Sequence, residues 1–263
     1  MTRCKNSISM PKEFRNFTSL TILNMGGCKN SIPMPKEFRD LTSLTILNME
    51  GYKNLILMPK EFSNLKSLTI FDISDCNSFA SLPNELNNLT SLTTLNIRGC
   101  KNLILLANEL GWCKKLTSLP NELGNFKSLT IFDISNSKSL TSLLNELSNV
   151  TSLINLNINR CSRLTSLAKE LGNLKPLIVF SILSYNSLAL LAKELGNLKS
   201  LTILNIGMYK KLISLLNELD NLSYLTILNM EMCKNLLLLL NKLDNLTSFT
   251  TFNRNRCKKL MSL

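Results

Sequence analysis

Residues 68–91 read LTIFDISDCNSFASLPNELNNLTS, and most of the chain repeats this segment at a spacing of 24 residues. A strand-like opening of the same pattern begins at Leu20, Leu44, Leu68, Leu92, Leu129, Leu153, Leu177, Leu201, Leu225 and Phe249. A fixed period of this length is the signature of a solenoid, in which each repeat buries its apolar side against its neighbours. The sequence therefore predicts one continuous array of stacked coils.

Each unit contains a short strand and a helical turn. Phe71 and Ile73 alternate with Asp72 and Ser74, which is the pattern of a strand with one buried and one open face. Pro83 then presets the backbone for the first position of a helical turn. We therefore expect a unit to run from strand to bend, through a helical turn, and back to the next strand.

The full pattern, L-x-x-L-x-L-x-x-C-x-x-L-x-x-L-P-x-x-L, resembles the leucine-rich repeat family over essentially the whole chain. Its cysteine and Leu-Pro positions are similar to the repeat region of plant intracellular disease-resistance proteins. The resemblance implies an α/β fold: a curved solenoid with a parallel sheet of about ten short strands on its concave face and short helical turns on its convex face. It also implies a concave surface that binds another protein. The nucleotide-binding and signalling domains of such receptors are absent from this sequence, so a receptor role does not carry over.

The organisation predicted from the period is a single array over residues 1–263, with half-repeats at both ends. The register breaks once, after Leu110, where Gly111 and Trp112 lead directly into a unit of 13 residues. Thirteen residues are too few for a strand and a return path. We therefore expect residues 92–128 to form one enlarged coil that kinks the solenoid without dividing it into domains.

The cysteines and the N-terminus indicate the compartment. The N-terminal sequence MTRCKNSISMPKEF lacks the apolar core of a secretory signal, and no membrane span is predicted, so we expect a cytoplasmic protein. All eight cysteines share one repeat position, which predicts a buried column of thiols. Column neighbours would lie about 5 Å apart, which leaves disulfides open, although a reducing cytosol favours free thiols. The eight are Cys4, Cys28, Cys76, Cys100, Cys113, Cys161, Cys233 and Cys257.

Enzyme activity is disfavoured by the residues that the chain lacks. It has no histidine for acid–base chemistry, no phosphate-binding loop and no nucleophile elbow. The cysteines show none of the clustered spacings of a zinc site. We therefore predict no catalytic residues, no cofactor and no bound metal.

The repeats differ from one another mainly just after each strand, where variation on a constant scaffold provides selectivity. We predict that these positions bind a protein partner on the concave face. The resemblance to plant disease-resistance repeats implies, further, that the chain is the recognition part of a plant defence or signalling protein. Neutral drift in a tandem array is the alternative explanation of the same variation. The candidate partner-binding residues are Glu50, Asp75, Arg98, Asn136, Arg160, Met208, Met232 and Arg256.

Two further columns belong to the predicted open face. The first is an Asn/Asp column, with Asn24, Asn48 and Asp72 as its first members, whose amides are expected to bond one another as a structural ladder. Beside it runs an apolar stripe that suggests a contact surface, or else packs on itself. The stripe consists of Ile22, Ile46, Ile70, Ile131, Val179, Ile203 and Ile227.

A column of lysines offers an alternative function. The formal net charge is +12, and a ridge of ammonium groups could attract nucleic acid or an acidic membrane surface. Against this, the few aromatic residues fall mostly at core positions and provide no evident platform for stacked bases, and lysines that are simply solvated explain the column as well. The ridge consists of Lys29, Lys53, Lys101, Lys138, Lys210, Lys234 and Lys258.

Overall fold

The computed structural model describes ten main segments of the chain. They are residues 12–28, 36–52, 58–78, 88–100, 126–138, 149–164, 169–185, 193–209, 221–236 and 246–257, together with the single positions 140, 143, 147, 167, 219 and 259.

Ten strands of three residues each form one parallel sheet, in which every strand pairs with the next one along the chain. This is the predicted solenoid of short parallel strands. The strands are β1 Ile22–Asn24, β2 Ile46–Asn48, β3 Ile70–Asp72, β4 Thr94–Asn96, β5 Ile131–Asp133, β6 Asn155–Asn157, β7 Val179–Ser181, β8 Ile203–Asn205, β9 Ile227–Asn229 and β10 Thr251–Asn253.

The sheet keeps its register across the one irregular spacing in the sequence. Strand β4 pairs directly with β5, with Thr94 opposite Ile131, and the Thr130 hydroxyl donates to the carbonyl of Thr93, 37 residues earlier, at 3.1 Å. Residues 101–125 lie outside the described residues, and with them the predicted kink. The division into a single array with half-repeats at its ends stays a prediction.

Short 3₁₀ helices form a second layer, and the core lies between this layer and the sheet. Phe62 of the third helix lies against Phe71 of β3, with ring centroids 6.0 Å apart, and stacks on Phe38 of the second helix at 5.2 Å. Pro59 precedes the third helix in an extended conformation, with φ −67°. The helices are η1 Lys12–Asn16, η2 Lys36–Asp40, η3 Lys60–Asn64, η4 Lys169–Asn173 and η5 Lys193–Asn197.

One column of the core, here called the inner column, contains most of the cysteines. Five described cysteines are buried, as predicted, while Cys257 is only half-buried, and all six described cysteines are free thiols. The thiol of Cys76 donates to the carbonyl of Met49 in the preceding repeat at 3.1 Å, and Cys100 donates to Ile73 in the same way at 3.1 Å. The inner column consists of Cys28, Tyr52, Cys76, Cys100, Ser137, Cys161, Tyr185, Tyr209, Cys233 and Cys257.

Candidate interaction surface

Each described repeat has one residue with a left-handed backbone, directly before its inner-column residue. We call these ten positions the turn column; their φ angles lie between 55° and 70°. Gly adopts this conformation freely, whereas other residues adopt it only where the surrounding structure requires it. The turn column consists of Gly27, Gly51, Asp75, Gly99, Asn136, Arg160, Ser184, Met208, Met232 and Arg256.

The left-handed backbone extends the hydrogen-bond ladder beyond the strands. The amide N–H of Arg160 donates to the carbonyl of Leu183 in the next repeat at 2.8 Å, and that of Asn136 donates to Asn159 at 2.6 Å. The first nine members of the turn column all make this bond, at 2.6 to 3.0 Å. The turn backbone is therefore fixed by a bond that does not involve its side chains.

Asn or Asp occupies the third and last position of nine strands, and Ser181 occupies it in β7. The side-chain oxygen of Asn48 accepts the amide N–H of Glu50 at 2.9 Å, and that of Asn96 accepts the N–H of Arg98 at 3.1 Å. Such bonds from an Asn or Asp to the backbone two residues later form an Asx turn. The column therefore turns the chain sharply after three strand residues and places the next two residues at the edge of the sheet.

The expected ladder of bonds between neighbouring Asn/Asp side chains is only partly formed. Within the described residues it is seen where Asn follows Asp or Ser in the preceding repeat: Asn96 donates to Asp72 at 3.0 Å, Asn157 to Asp133 at 2.9 Å, and Asn205 to Ser181 at 2.9 Å. The carboxylate of Asp and the hydroxyl of Ser can accept a hydrogen bond from the next Asn side chain directly. An Asn in the same place would first have to orient its own NH₂ group away from that donor.

Ser74 departs from the sequence expectation. The strand alternation predicts Ser74 on the open face, but the strand ends at Asp72 and Ser74 is buried, with 4% of its surface exposed. Its hydroxyl donates to the Asp72 carboxylate at 2.6 Å, which is the same oxygen that accepts its amide at 2.8 Å. Because of the Asx turn, the alternation of buried and open positions does not continue past Ile73, and Ser74 is buried like Ile73.

The eight predicted partner-binding residues occupy two adjacent positions of the turn. Glu50 and Arg98 lie one residue before the turn column. The other six belong to the turn column, namely Asp75, Asn136, Arg160, Met208, Met232 and Arg256.

Four of these eight residues line one groove of about 340 Å³ at the edge of strands β4 to β8, which we call the Arg98–Arg160 groove. Glu50, Asp75, Met232 and Arg256 lie on the turns of other strands and do not line it. Its lining residues are Arg98, Asp133, Ser135, Asn136, Asn157, Asn159, Arg160, Leu183, Ser184 and Met208.

The charges in this groove leave its two arginines available. Arg98 and Arg160 are exposed, and among the described residues the one ion pair joins Arg39 to Asp40 at 3.5 Å. The nearby Asp133 carboxylate already accepts the Ser135 amide at 2.8 Å and the Asn157 side-chain amide at 2.9 Å. The groove therefore presents two cationic donors to a ligand.

The apolar stripe is present but interrupted. Ile70 pairs with Thr94, and Ile131 pairs with Asn155, so polar residues break the column at β4 and β6. Ile22 is the most exposed member, with 58% of its surface accessible. The stripe therefore divides into one run on β1 to β3, the single Ile131 on β5, and a second run on β7 to β9, whose first two strands also contribute to the Arg98–Arg160 groove.

The lysine ridge falls largely outside the described residues. Lys138 and Lys234 are described, and both are exposed. Outside the described residues lie Lys29, Lys53, Lys101, Lys210 and Lys258.

The buried thiols are poor candidates for chemistry. Burial raises the pKa of Cys161 and of Cys233 to about 11 and that of Cys76 to about 12. A protonated, buried thiol is neither a nucleophile nor a metal ligand. In the part of the chain that the structure describes, no group of three or more His, Cys, Asp or Glu is placed to hold a metal ion, and no helix is long and apolar enough to cross a membrane.

Two features of this surface were missed in the sequence. Glycine recurs at Gly27, Gly51 and Gly99, and this recurrence is a usable signal for a left-handed position. A threonine column at the start of the strands also went unnoticed, although its hydroxyls bond successive repeats: Thr45 donates to the carbonyl of Thr21 at 2.9 Å, and Thr69 to that of Thr45 at 2.9 Å.

Comparison with known proteins identifies the fold. No protein-family model matches the sequence, and no curated protein matches it. The Leptospira interrogans LRR protein LIC12759 is similar with a TM-score of 0.71 and 25% identity, over 95% of this chain and 64% of that protein. A TDR receptor is similar with a TM-score of 0.55 and 18% identity, over 90% of this chain and 43% of the receptor.

The plant peptide hormone receptor RGFR1, solved in complex with RGF2, gives a TM-score of 0.46 at 18% identity, over 94% of this chain and 51% of that one, which is too low to support an inference. The chain therefore spans less than two thirds of the length of each of these proteins. The chain has the leucine-rich-repeat solenoid fold, and its repeat pattern together with the likeness to LIC12759 supports placing it among leucine-rich-repeat proteins.

Proposed function

We propose that the chain is a non-catalytic protein-interaction module that binds its partner at the Arg98–Arg160 groove and the adjoining open face of the sheet. The observation that carries this proposal is the groove itself, where Arg98, Asn136, Arg160 and Met208 meet on a backbone fixed by the turn ladder. Fixed backbone and variable side chains give a surface that can be specific for one partner without a large ordering cost on binding.

A charge-reversal experiment tests the location of this surface. Immobilised wild-type chain is compared with Arg98→Glu/Arg160→Glu and with a matched control, Lys175→Glu/Lys199→Glu, which reverses two exposed lysines outside the groove. We expect partner recovery from an extract to be lost in the first variant and kept in the control. Equal recovery on all three proteins would remove the groove from the proposal.

The cysteine and Leu-Pro pattern supports a finer proposal, in which the module is the recognition part of a plant-type defence or signalling protein that works in the cytoplasm. The six described cysteines are free thiols, which agrees with a reducing compartment. Fractionation of cells that express the tagged full-length protein tests the location, since recovery from the secreted fraction would contradict it.

Binding of a polyanion through the lysine ridge is the second candidate function, and the exposure of Lys138 and Lys234 favours it. It predicts sequence-independent binding of nucleic acid whose affinity falls steeply with salt, because each neutralised phosphate releases a counterion. Binding that is insensitive to salt, or unchanged in Lys138→Gln/Lys234→Gln, would count against it.

A further inference from the structure

We infer that the Arg98–Arg160 groove takes an extended peptide segment that carries an acidic side chain and, four residues away, an apolar one. The inference rests on the proposed function and names the chemistry of its partner. It follows from the different character of the two ends of the groove, one cationic and one apolar.

The cationic end lies at strands β4 to β6. Arg98 and Arg160 stand two strands apart, which is about 10 Å in a parallel sheet. Between them lies Asn136, which also lines the groove and whose backbone N–H is bonded in the turn ladder at 2.6 Å. A carboxylate placed between these residues would accept charge-assisted bonds from two guanidinium groups, which are the stronger kind of hydrogen bond.

Asp133 offsets only one of the two arginine charges at this end, and its hydrogen bonds to neutral donors leave its own charge unchanged. Both of its carboxylate oxygens are held, one by the Ser135 amide at 2.8 Å and the other by the Asn157 side chain at 2.9 Å. The two arginines and one carboxylate leave the groove with a net positive charge. This charge selects an acidic ligand over a basic one.

The apolar end lies at strands β7 and β8, where Leu183 and Met208 line the groove. Met208 has 39% of its surface exposed, and its sulfur accepts the Ser184 hydroxyl at 3.0 Å, which holds the side chain in place. An apolar ligand side chain here would cover both residues and remove their exposed surface from water.

The spacing between the two ends sets the spacing in the ligand. From the midpoint of Arg98 and Arg160 to the midpoint of Leu183 and Met208 is two and a half strand spacings, or about 12 Å. An extended chain rises about 3.3 Å per residue and places alternate side chains on one face. Four residues therefore span about 13 Å and keep both side chains toward the groove, whereas two residues fall short and three point the second side chain away.

Selection from random dodecapeptides displayed on phage, with the full chain as target, tests this inference. We expect enriched peptides to carry Asp or Glu four residues from Leu, Met, Ile or Phe. In a synthetic peptide of the consensus, replacing the acid by its amide should weaken binding about tenfold or more, as expected for a charge-assisted bond. The same replacement should have little effect against Arg98→Gln/Arg160→Gln, while Lys175→Gln/Lys199→Gln, which changes two exposed lysines outside the groove, should behave as wild type.

The remaining outcomes separate the inference from the proposed function. Enriched peptides that depend on the groove arginines but lack an acidic residue would overturn the inference and leave the interaction surface standing. Binding could instead weaken when the peptide C-terminus is amidated and stay unchanged when the acidic side chain is replaced. This result would show that the groove binds a terminal carboxylate, and it would also overturn the inference. Peptides that bind all variants equally, or no enrichment at all, would contradict both.

Discussion

Arg160 and Cys161 are neighbours in the chain, yet the columns that they represent follow opposite rules. The inner column holds Cys, Tyr and Ser, whose side chains fit the core and in several repeats donate to a carbonyl of the preceding repeat, as Cys76 and Tyr185 do. The buried hydroxyls of Ser137 and Tyr209 have no such partner within the described residues. The turn column holds Gly, Asp, Asn, Arg, Ser and Met, because the bond that fixes the turn comes from the backbone N–H and does not require a particular side chain. Residues of the inner column are therefore constrained by their side chains. Residues of the turn column, one position earlier in the chain, are constrained by their backbone.

High pH should lower the free energy of unfolding through the buried thiols of the inner column. The pKa of Cys161 is raised by burial from 9.0 to about 11 and that of Cys76 to about 12, so the folded state holds these protons after the unfolded chain has released them. The stabilising contribution is complete below pH 9 and is lost as the pH rises toward 11 to 12, at up to about 1.4 kcal/mol per pH unit for each thiol. Urea unfolding at a series of pH values measures this fall.

A free energy of unfolding that stays flat between about pH 9 and 11 would show that the thiols are accessible to water. Cys161→Ala provides the control, since it should lower the stability at neutral pH but make the decline at high pH shallower.

Truncation of one member of each column compares them directly. Tyr185 is fully buried and stacks on Tyr209 with ring centroids 5.7 Å apart, so Tyr185→Ala should cost about 3–5 kcal/mol. Arg160→Ala removes an exposed side chain and leaves the bonded backbone in place, so it should cost less than about 0.5 kcal/mol. Comparable losses in thermal or urea unfolding would contradict the distinction between the columns.

Hydroxyl removal tests the inner column at finer scale. The Tyr185 hydroxyl donates to the carbonyl of Ile158, whereas the buried Tyr209 hydroxyl has no hydrogen-bond partner within the described residues. Tyr185→Phe should therefore lose about 1 kcal/mol, and Tyr209→Phe should gain a similar amount by removing an unsatisfied polar group. Equal effects of the same sign would show that the two tyrosines are not distinguished by their bonds.

The smallest expected changes in stability come from substitutions that alter the backbone preference in the turn column. At Gly51 an added Cβ would meet no atom within 4 Å, so the cost of Gly51→Ala is that of its φ of +65° alone, about 1 kcal/mol. Gly51→Asn should cost less, since Asn tolerates this region. Met232→Gly should be neutral or gain up to about 1 kcal/mol. A stable Gly51→Ala variant, measured by urea unfolding, would show that the turn can relax.

The repeat period allowed much of the fold to be predicted. The strand positions, the pairing of each strand with the next and the burial of Cys76 follow from copying one unit, because stacked copies present the same side chain to the same neighbour. Prediction failed at Ser74, because strand alternation does not continue through an Asx turn. The partial Asn/Asp ladder likewise depends on which acceptor stands in the preceding repeat.

The candidate site was harder to predict than the fold. The sequence indicated that positions after the strands vary, but it gave no reason to group Arg98 with Arg160 and to leave out Arg256. That grouping depends on which turns are neighbours along the sheet, with Arg98 at the turn of β4 and Arg160 at that of β6 but Arg256 at that of β10. These are relations between residues of different repeats, which a pattern within one repeat does not contain.

Amide hydrogen exchange at the turn column tests most directly the claim that its backbone is fixed while its side chains are free. The N–H groups of Asn136, Arg160 and Met208 donate to the next repeat at 2.6, 2.8 and 2.7 Å. They should exchange as slowly as the amides of the flanking strands, in the wild type and in Arg160→Ala alike. Exchange at the rate of an unstructured chain would show a mobile turn and would contradict the account.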